Sequence, residues 1–572
     1  MKRCLVYLKD MKFLIALALF LKFITSITEL AIPWILDFML DELAPTGDVQ
    51  LIAYMGIGMV ICALFTALGN LWANRITAKI SRNSIEGLRN DVFTKVYSLS
   101  IDQLDELTIS SAVSRLTTDV QNIHQVIGST IRMGIRAPLI VIGGMIFTAM
   151  MDPKLSQILF ILFPIIAVAT YFTTKRGTFL HTSIQRANDD LVNITRDSVS
   201  GVMEIKGYAT EEKEKMRFEE ISEALRKQEM RTAKLMSFFN PAVNLLLNIG
   251  LVAVVLFGGY FAQDGSSTPS NIIAFLSYFT MISASLMAIN RLFITIARGN
   301  ASAARIEQLL YIKTKEPEPK NNDKDEEENF ITFDDVTFKY GSGYNVVENI
   351  SFSLKKGETL GILGPTGSGK TTLVNLLQGF YKPTSGKIFI DSEDISTIKE
   401  QDIHKKFGVV MQNDCVFSDT VKGNIRIGRT LDDQNMWKAL DIADLKKFVS
   451  SKETGLEYDI NSSGTNLSGG QRQRLLIARA ISKKPEILIL DDSSSALDYS
   501  TDAKIRRAIS KEMHCTTVII AQRITSLMDS HKILLLSDKG TAVALGTHKE
   551  LIHNCKEYQD LWNFQTGGAK YE

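Results

Sequence analysis

Thr359–Phe380 reads TLGILGPTGSGKTTLVNLLQGF: a short apolar strand, a glycine-rich loop and a helical run, in that order. Glycines at Gly364, Gly367 and Gly369 allow the backbone to wrap so that successive N–H groups converge on an anion, and the helix start adds its dipole. In this context Lys370 is placed to reach the outer phosphates of a nucleotide and the Thr371 hydroxyl to meet magnesium. The loop therefore predicts an α/β domain built to hold a polyphosphate.

Working outward, Glu486–Leu490 (EILIL) predicts a buried strand that ends in Asp491 and Asp492. A carboxylate at such a strand end is suited to hold magnesium through water. Between these two pieces lies LSGGQ, Leu467–Gln471, opening the basic helix RQRLLIARA. It is a second glycine pair at a helix start. One loop already surrounds the phosphates, so this second anion site on the same chain points to a nucleotide held by another subunit. Upstream, Ile331, Phe333, Val336, Phe338 and Tyr340 mark a mostly alternating strand. Residues 330–572 thus read as one nucleotide-binding domain.

Lys313–Asn329 (KTKEPEPKNNDKDEEEN) has two prolines, many charges and no large apolar side chain, and predicts a linker. Residues 1–312 are different in kind. Six apolar stretches approach the length of about 20 residues that a membrane-crossing helix needs: Phe13–Phe38, Leu51–Ala73, Ile127–Met151, Leu155–Phe172, Pro241–Gln263 and Asn271–Ile296. Asp152-Pro153-Lys154 forces a tight hairpin between the third and fourth. The first stretch exceeds a secretory signal's apolar core and no cleavage site follows it, so it reads as an anchor that is retained. Leu40–Gln50 and Asp264–Ser270 carry no base, whereas Asn74–Val126 holds six Arg/Lys and Thr173–Asn240 many more. By that asymmetry both termini, both long loops and the nucleotide-binding domain are cytosolic. Helical periodicity and scarce Pro or Gly predict that the spans continue through the loops, with short helices near Thr108–Arg115 and Tyr208–Glu214 offered to the soluble domain. Lys22, Glu29, Arg132, Arg136, Asn244, Asn248, Asn290 and Arg291 are polar groups inside spans; Glu29 and Arg291 are the candidates for a solvated pathway.

Composition narrows the field. Sixty-four Lys and Arg nearly cancel 63 Asp and Glu, which argues against a nucleic-acid partner. Cys4, Cys62, Cys415, Cys515 and Cys555 show no metal or disulfide spacing and read as reduced, buried thiols.

GPTGSGKT, LSGGQ, ILILDD and SALD in this order, behind six spans, resemble an ABC transporter: a half-transporter of the type IV exporter class, similar to multidrug and lipid exporters. The resemblance covers essentially the whole chain. It implies a membrane all-α six-helix domain joined to an α/β P-loop ABC ATPase domain, with ATP and Mg2+ as its cofactors. It implies ATP contacts from Tyr340, stacking on adenine, and from Gly364, Pro365, Thr366, Gly367, Ser368, Gly369, Lys370, Thr371, Thr372 and Gln412. Magnesium falls to Thr371, Gln412 and Asp491. Leu467, Ser468, Gly469, Gly470 and Gln471 serve the partner's nucleotide across a head-to-tail dimer, and Ser495, Ala496, Leu497 and Asp498 form the loop that crosses to it. The resemblance further implies a lipid bilayer of the plasma membrane as the setting and a small amphipathic molecule as cargo.

Two positions depart from the family pattern. Asp492 stands where the family places a glutamate that polarises the attacking water, and Gln522 (VIIAQRI) where it places a switch histidine. Aspartate is a methylene shorter, and a misplacement of about 1 Å costs about 10²-fold. Glutamine donates a hydrogen bond but carries no charge. The expectation is a site that binds ATP and hydrolyses it poorly, paired in a heterodimer with a subunit whose own site is competent. A homodimeric lipid or peptide exporter, and an importer on the same fold, are the alternatives. DINSSG, Asp459–Gly464, lacks the acidic-basic pair that exporters usually carry before the signature.

Overall fold

The computed structural model describes residues 4–265, 267–314, 329–412, 414–493 and 496–566. Most of the expected linker, residues 315–328, and Ser495 of the crossing loop lie outside them. By its contacts the chain divides into two units, Met1–Ser98 with Leu107–Lys313, and Leu99–Glu106 with Thr314–Glu572.

The first unit is helical throughout. Its long helices are Lys12–Phe38, Val49–Tyr97, Pro153–Ser200, Glu211–Gln263 and Pro269–Tyr311, with a broken pair Val120–Met133 and Arg136–Met151. Among the described residues five helical stretches are long and apolar enough to cross a bilayer, and Pro153–Ala169 is a shorter apolar sixth. Asp152 caps the helix that follows the expected hairpin, accepting from Lys154 and Leu155 N–H at 2.9 and 3.0 Å, with Pro153 at the first helical position. The break before Arg136 has a simple cause: Pro138 has no N–H to return to the Gly134 carbonyl. Tyr54, Ile57, Ile61, Leu64 and Leu68 of Val49–Tyr97 are exposed, as a helix surrounded by lipid requires.

The turns of the two long loops differ in part from expectation. Ile109–Ser114 is helical, as Thr108–Arg115 predicts, and Thr108 caps it. At the second turn the short helix is Val202–Gly207, not Tyr208–Glu214, whose first residues form the turn and whose last begin Glu211–Gln263. Gly201 and Gly207 bracket the short helix, and Ala209 at φ +52° breaks the path after it. Within spans, Arg136 holds Glu29 through bonds of 2.8 and 3.0 Å, both side chains remaining partly exposed. Lys22, buried, donates to Asn70 at 2.7 Å. Arg291 is exposed, and the Asn244 side chain lies outside the described residues.

The second unit packs two sheets around one helix. Six strands run in the order Ala542–Gly546, Lys532–Leu536, Thr359–Leu363, Thr516–Ile520, Ile487–Asp491 and Phe407–Val410. All are parallel except the first, which is antiparallel to its neighbour. The four-stranded antiparallel sheet holds Asn345–Leu354, Ile331–Lys339, Ser385–Ile390 and Glu393–Asp394. Leu373, Val374 and Leu377 of helix Lys370–Leu377 share one core with Phe333 and Ile350 of the second sheet and Leu360, Ile362 and Val518 of the first. Burying such side chains is worth about 1.5–3 kcal/mol each, so the helix behind the glycine loop is anchored on both faces. A second core joins helix Gly469–Ile481 to Met436, Leu440 and Val449. The turn helix Ile101–Leu107 carries Asp105, which accepts a 2.5 Å bond from the Tyr381 hydroxyl inside this unit.

Candidate nucleotide site

Three neighbouring parallel strands end at one edge of the six-stranded sheet. Thr359–Leu363 runs into the glycine loop, Ile487–Asp491 into Asp492, and Thr516–Ile520, which pairs with both, into Ala521 and Gln522. Ligands of open parallel sheets gather at this carboxyl edge, and register alone brings the dispersed motifs together there.

The loop is shaped for an anion. Gly369 sits at φ +85°, a conformation that disfavours a side chain, and a Cβ there would lie 2.8 Å from the Val346 carbonyl. At Gly364 a Cβ would lie 2.7 Å from Ser368 Oγ. Among the described residues Ser368 Oγ is buried with no hydrogen-bond partner, and the Lys370 ammonium turns back onto the Gly364 and Pro365 carbonyls at 2.9 and 2.6 Å. A buried hydroxyl left unpaired and an ammonium folded onto the loop's own carbonyls fit a phosphate site. Burial lowers the Lys370 pKa, while Asp491 and Asp492 act to raise it.

The donor set for magnesium also fits. Thr371 Oγ1 donates to Asp491 Oδ2 at 2.9 Å, and Asp491 is 2% exposed. Burial pushes the Asp491 carboxyl above its ordinary range, opposed by the Thr371 hydrogen bond. A buried carboxylate beside a hydroxyl offers the hard oxygen ligands that Mg2+ takes. Gln412 is exposed at the end of strand Phe407–Val410, one residue beyond Met411. Thr372 Oγ1 lies 3.1 Å from the Tyr340 hydroxyl, which sets the Tyr340 ring, 40% exposed, beside the loop.

Asp492 and Gln522 are brought together: Gln522 Nε2 donates to Asp492 Oδ2 at 3.3 Å. Asp492 adopts φ +47°, and burial raises its carboxyl pKa. The signature stands apart from this cluster. Ser468 caps helix Gly469–Ile481, exchanging bonds with Gln471 at 2.9 and 3.3 Å, and no hydrogen bond among the described residues links Leu467–Gln471 to the glycine loop. It lies instead against Ala496, whose carbonyl would be 3.2 Å from a Cβ at Gly470. Asp498 caps helix Tyr499–Glu512, and hydrogen bonds from Ser500 and Thr501 hold its carboxyl below the ordinary range. DINSSG turns through Ser463 at φ +60°.

Sequence reading took the signature helix as simply basic and missed Arg479. Only 7% exposed, it donates to Asn424 O, Asn424 Oδ1 and Cys415 O at 2.9, 2.9 and 2.8 Å, bracing the segment that follows Gln412. Its place in the run LLIARA, flanked by alanines, was the available signal. Of the expected thiols, Cys515 and Cys555 are buried and free, Cys62 half-buried, and Cys415 exposed.

Comparison with known proteins agrees with this geometry. The ABC transporter transmembrane region matches residues 15–286, and the ABC transporter domain matches residues 347–495. The chain is 32% identical to the uncharacterized ABC transporter ATP-binding protein YfiB of Bacillus subtilis (strain 168), over 99% of each. It is 29% identical to the ATP-dependent lipid A-core flippase of Desulfotalea psychrophila (strain LSv54 / DSM 12343), over 96% of each. Its fold matches a bacterial Atm1-family ABC exporter solved with ATP bound, at a TM-score of 0.80 and 22% identity, over 97% of this chain and 98% of that one. A helical membrane domain followed by a strand-end phosphate site, shared over full length with such relatives, makes this chain a member of the ABC transporter family.

Proposed function

We propose that the chain is one half of a heterodimeric ATP-driven exporter in the plasma membrane, moving amphipathic or hydrophobic compounds out of the cytosol. The observation that carries this reading is the contrast at one strand edge. The groups suited to grip Mg-ATP are complete (the glycine loop, Lys370, and the Thr371–Asp491 pair at 2.9 Å), while the neighbouring couple is Asp492 and Gln522 at 3.3 Å. Gly364–Gly369 and Lys370 would bind the phosphates, Tyr340 would stack on the base, and Thr371, Gln412 and Asp491 would hold magnesium, which would supply charge neutralisation.

Hydrolysis needs a carboxylate that reaches the attacking water and a switch residue that stabilises the leaving charge. Asp492 is short for the first task and Gln522 uncharged for the second. Turnover then falls to the site completed by this chain's own Leu467–Gln471, where a different subunit supplies the phosphate loop. The exposed start of helix Gly469–Ile481, separate from its own glycine loop, suits that role. Nucleotide-driven closure of the two ATPase domains turns the membrane cavity outward, and hydrolysis in the partner's site resets it. The kinship with a relative named as a lipid flippase supports an amphipathic or hydrophobic cargo.

The test is ATPase activity of the purified chain in lipid nanodiscs, alone and with its candidate partner. Little turnover alone and robust turnover together is the expected result. Robust turnover by this chain alone overturns the heterodimer.

A further inference from the structure

The C-terminal helix Lys556–Thr566 reaches the switch loop. Gln565, near its end, accepts the Ile524 N–H on Oε1 at 2.8 Å and donates from Nε2 to the Gln522 carbonyl at 2.8 Å. One side-chain amide thus spans both flanks of Arg523. The helix that carries it is firmly seated. Tyr558 and Trp562 are buried in one core with Ile524, Leu527 and Leu551, and the Tyr558 hydroxyl lies 2.7 Å from His548 Nδ1. Trp562 is three residues before Gln565, so the anchor and the amide lie on the same helix face.

We propose that Gln565 is a positioning residue for the nucleotide site: through two backbone bonds it sets the switch loop so that the Gln522 amide is presented to the terminal phosphate of ATP. The proposal rests on ATP occupying the glycine loop. A bland alternative is that Gln565 only ties down the chain's last turn. Against it stands the choice of partner atoms. The amide bonds the backbone of Gln522 itself, whose side chain already points at Asp492 at 3.3 Å beside the phosphate loop. A displaced Gln522 backbone carries its side chain with it.

The consequence is specific. ATP has the terminal phosphate that Gln522 meets and ADP lacks it, so loosening the switch loop weakens ATP and spares ADP. A purely structural loss weakens both. The experiment measures Mg-ATP and Mg-ADP affinities of the full-length chain in nanodiscs by displacement of a fluorescent nucleotide, for wild type, Gln565→Ala and Gln565→Glu. Wild type is expected to favour ATP. Q565A should weaken ATP roughly threefold to tenfold and leave ADP within about twofold, its melting temperature reporting that it folds. Q565E keeps the acceptor for Ile524 but sets a second acceptor against the Gln522 carbonyl, and should fall at least as far. In a Gln522→Ala background Q565A should change nothing further, since the positioned side chain is gone. Parallel loss of ATP and ADP, or undiminished preference for ATP in Q565A, overturns the positioning role while leaving the ATP site standing. A wild type that binds neither nucleotide overturns both.

Discussion

Lengthening one side chain should convert this site from holding ATP to splitting it. In Asp492→Glu the carboxylate advances by one carbon–carbon bond, about 1.5 Å, which is the order of displacement that costs about 10²-fold when a catalytic group is misplaced. The backbone subtracts a little. Asp492 sits at φ +47°, where aspartate is better tolerated than glutamate, so the variant carries strain of at most about 1–2 kcal/mol in folding. That strain lowers the melting temperature without changing the reach. Gln522→His places an imidazole where the native Gln522 amide, 30 positions away in sequence, lies 3.3 Å from the Asp492 carboxylate. Because the two groups act on one phosphate, their effects should not add. The expected outcome is a single-turnover hydrolysis rate for D492E/Q522H about 10²-fold above wild type, near 2.7 kcal/mol of barrier. The assay follows release of inorganic phosphate from labelled Mg-ATP held by the chain paired with its candidate partner in nanodiscs, the partner's own site inactivated. Asp491→Asn on the same background is the control that should abolish it. A double variant no faster than wild type, with ATP binding intact, refutes the reasoning: the shortfall of this site would then lie elsewhere than in carboxylate reach and imidazole.

Two further outcomes follow from buried charge. Burial holds the Asp491 carboxyl above its ordinary range, so between about pH 4 and that raised value the folded chain binds more protons than the unfolded one and stability declines as pH rises. Asp491→Asn should therefore raise the melting temperature of the nucleotide-free chain at pH 7.5, lose that advantage below about pH 4, and abolish stabilisation by Mg-ATP; an unchanged melting temperature at pH 7.5 contradicts the burial argument. Arg479→Met strips three donors from Asn424 O, Asn424 Oδ1 and Cys415 O, the Asn424 pair buried, a loss of about 3–5 kcal/mol, read as a fall of roughly 6–20 °C in the melting of the ATPase domain. Arg479→Lys, with one ammonium for three acceptors, should recover only part, and a melt within about 2 °C of wild type for R479M would remove the bracing role.

What was legible in the sequence was what local physics controls. GPTGSGKT between an apolar strand and an apolar helix has few other conformations open to it, and the hydropathy of each span is a property of the span itself. The Asp152-Pro153 hairpin is likewise a matter of one cap and one ring. The hidden features depend on what a residue meets far along the chain. Arg479 looks like any helix-surface base until Asn424, 55 residues earlier, and Cys415, 64 earlier, fold onto it. Gln565 is one polar residue on an amphipathic helix, and only tertiary packing gives it Gln522 as a partner. The short helix of the second long loop lies at Val202–Gly207 rather than Tyr208–Glu214, where Gly201 and Gly207 interrupt a helical run whose periodicity alone does not fix the turn.

A site that grips without splitting has an energetic use in a two-site machine. A ligand bound only to one state stabilises that state by about 2.7 kcal/mol when present at 100 times its dissociation constant. If ATP stays in this chain's site through a cycle, that contribution to closure is never withdrawn, and only the partner's nucleotide has to be replaced to close the domains again. The switch between cavity orientations then requires the free energy of one ATP rather than two, with this chain setting the resting balance. If the proposed heterodimer holds, the grip rather than the chemistry is the property on which Lys370, Thr371 and Asp491 would act. Under the proposed reading, Gln522 and its support from Gln565 would keep a role without hydrolysis: holding the terminal phosphate recognised, so that ATP and not ADP would keep the proposed pair closed.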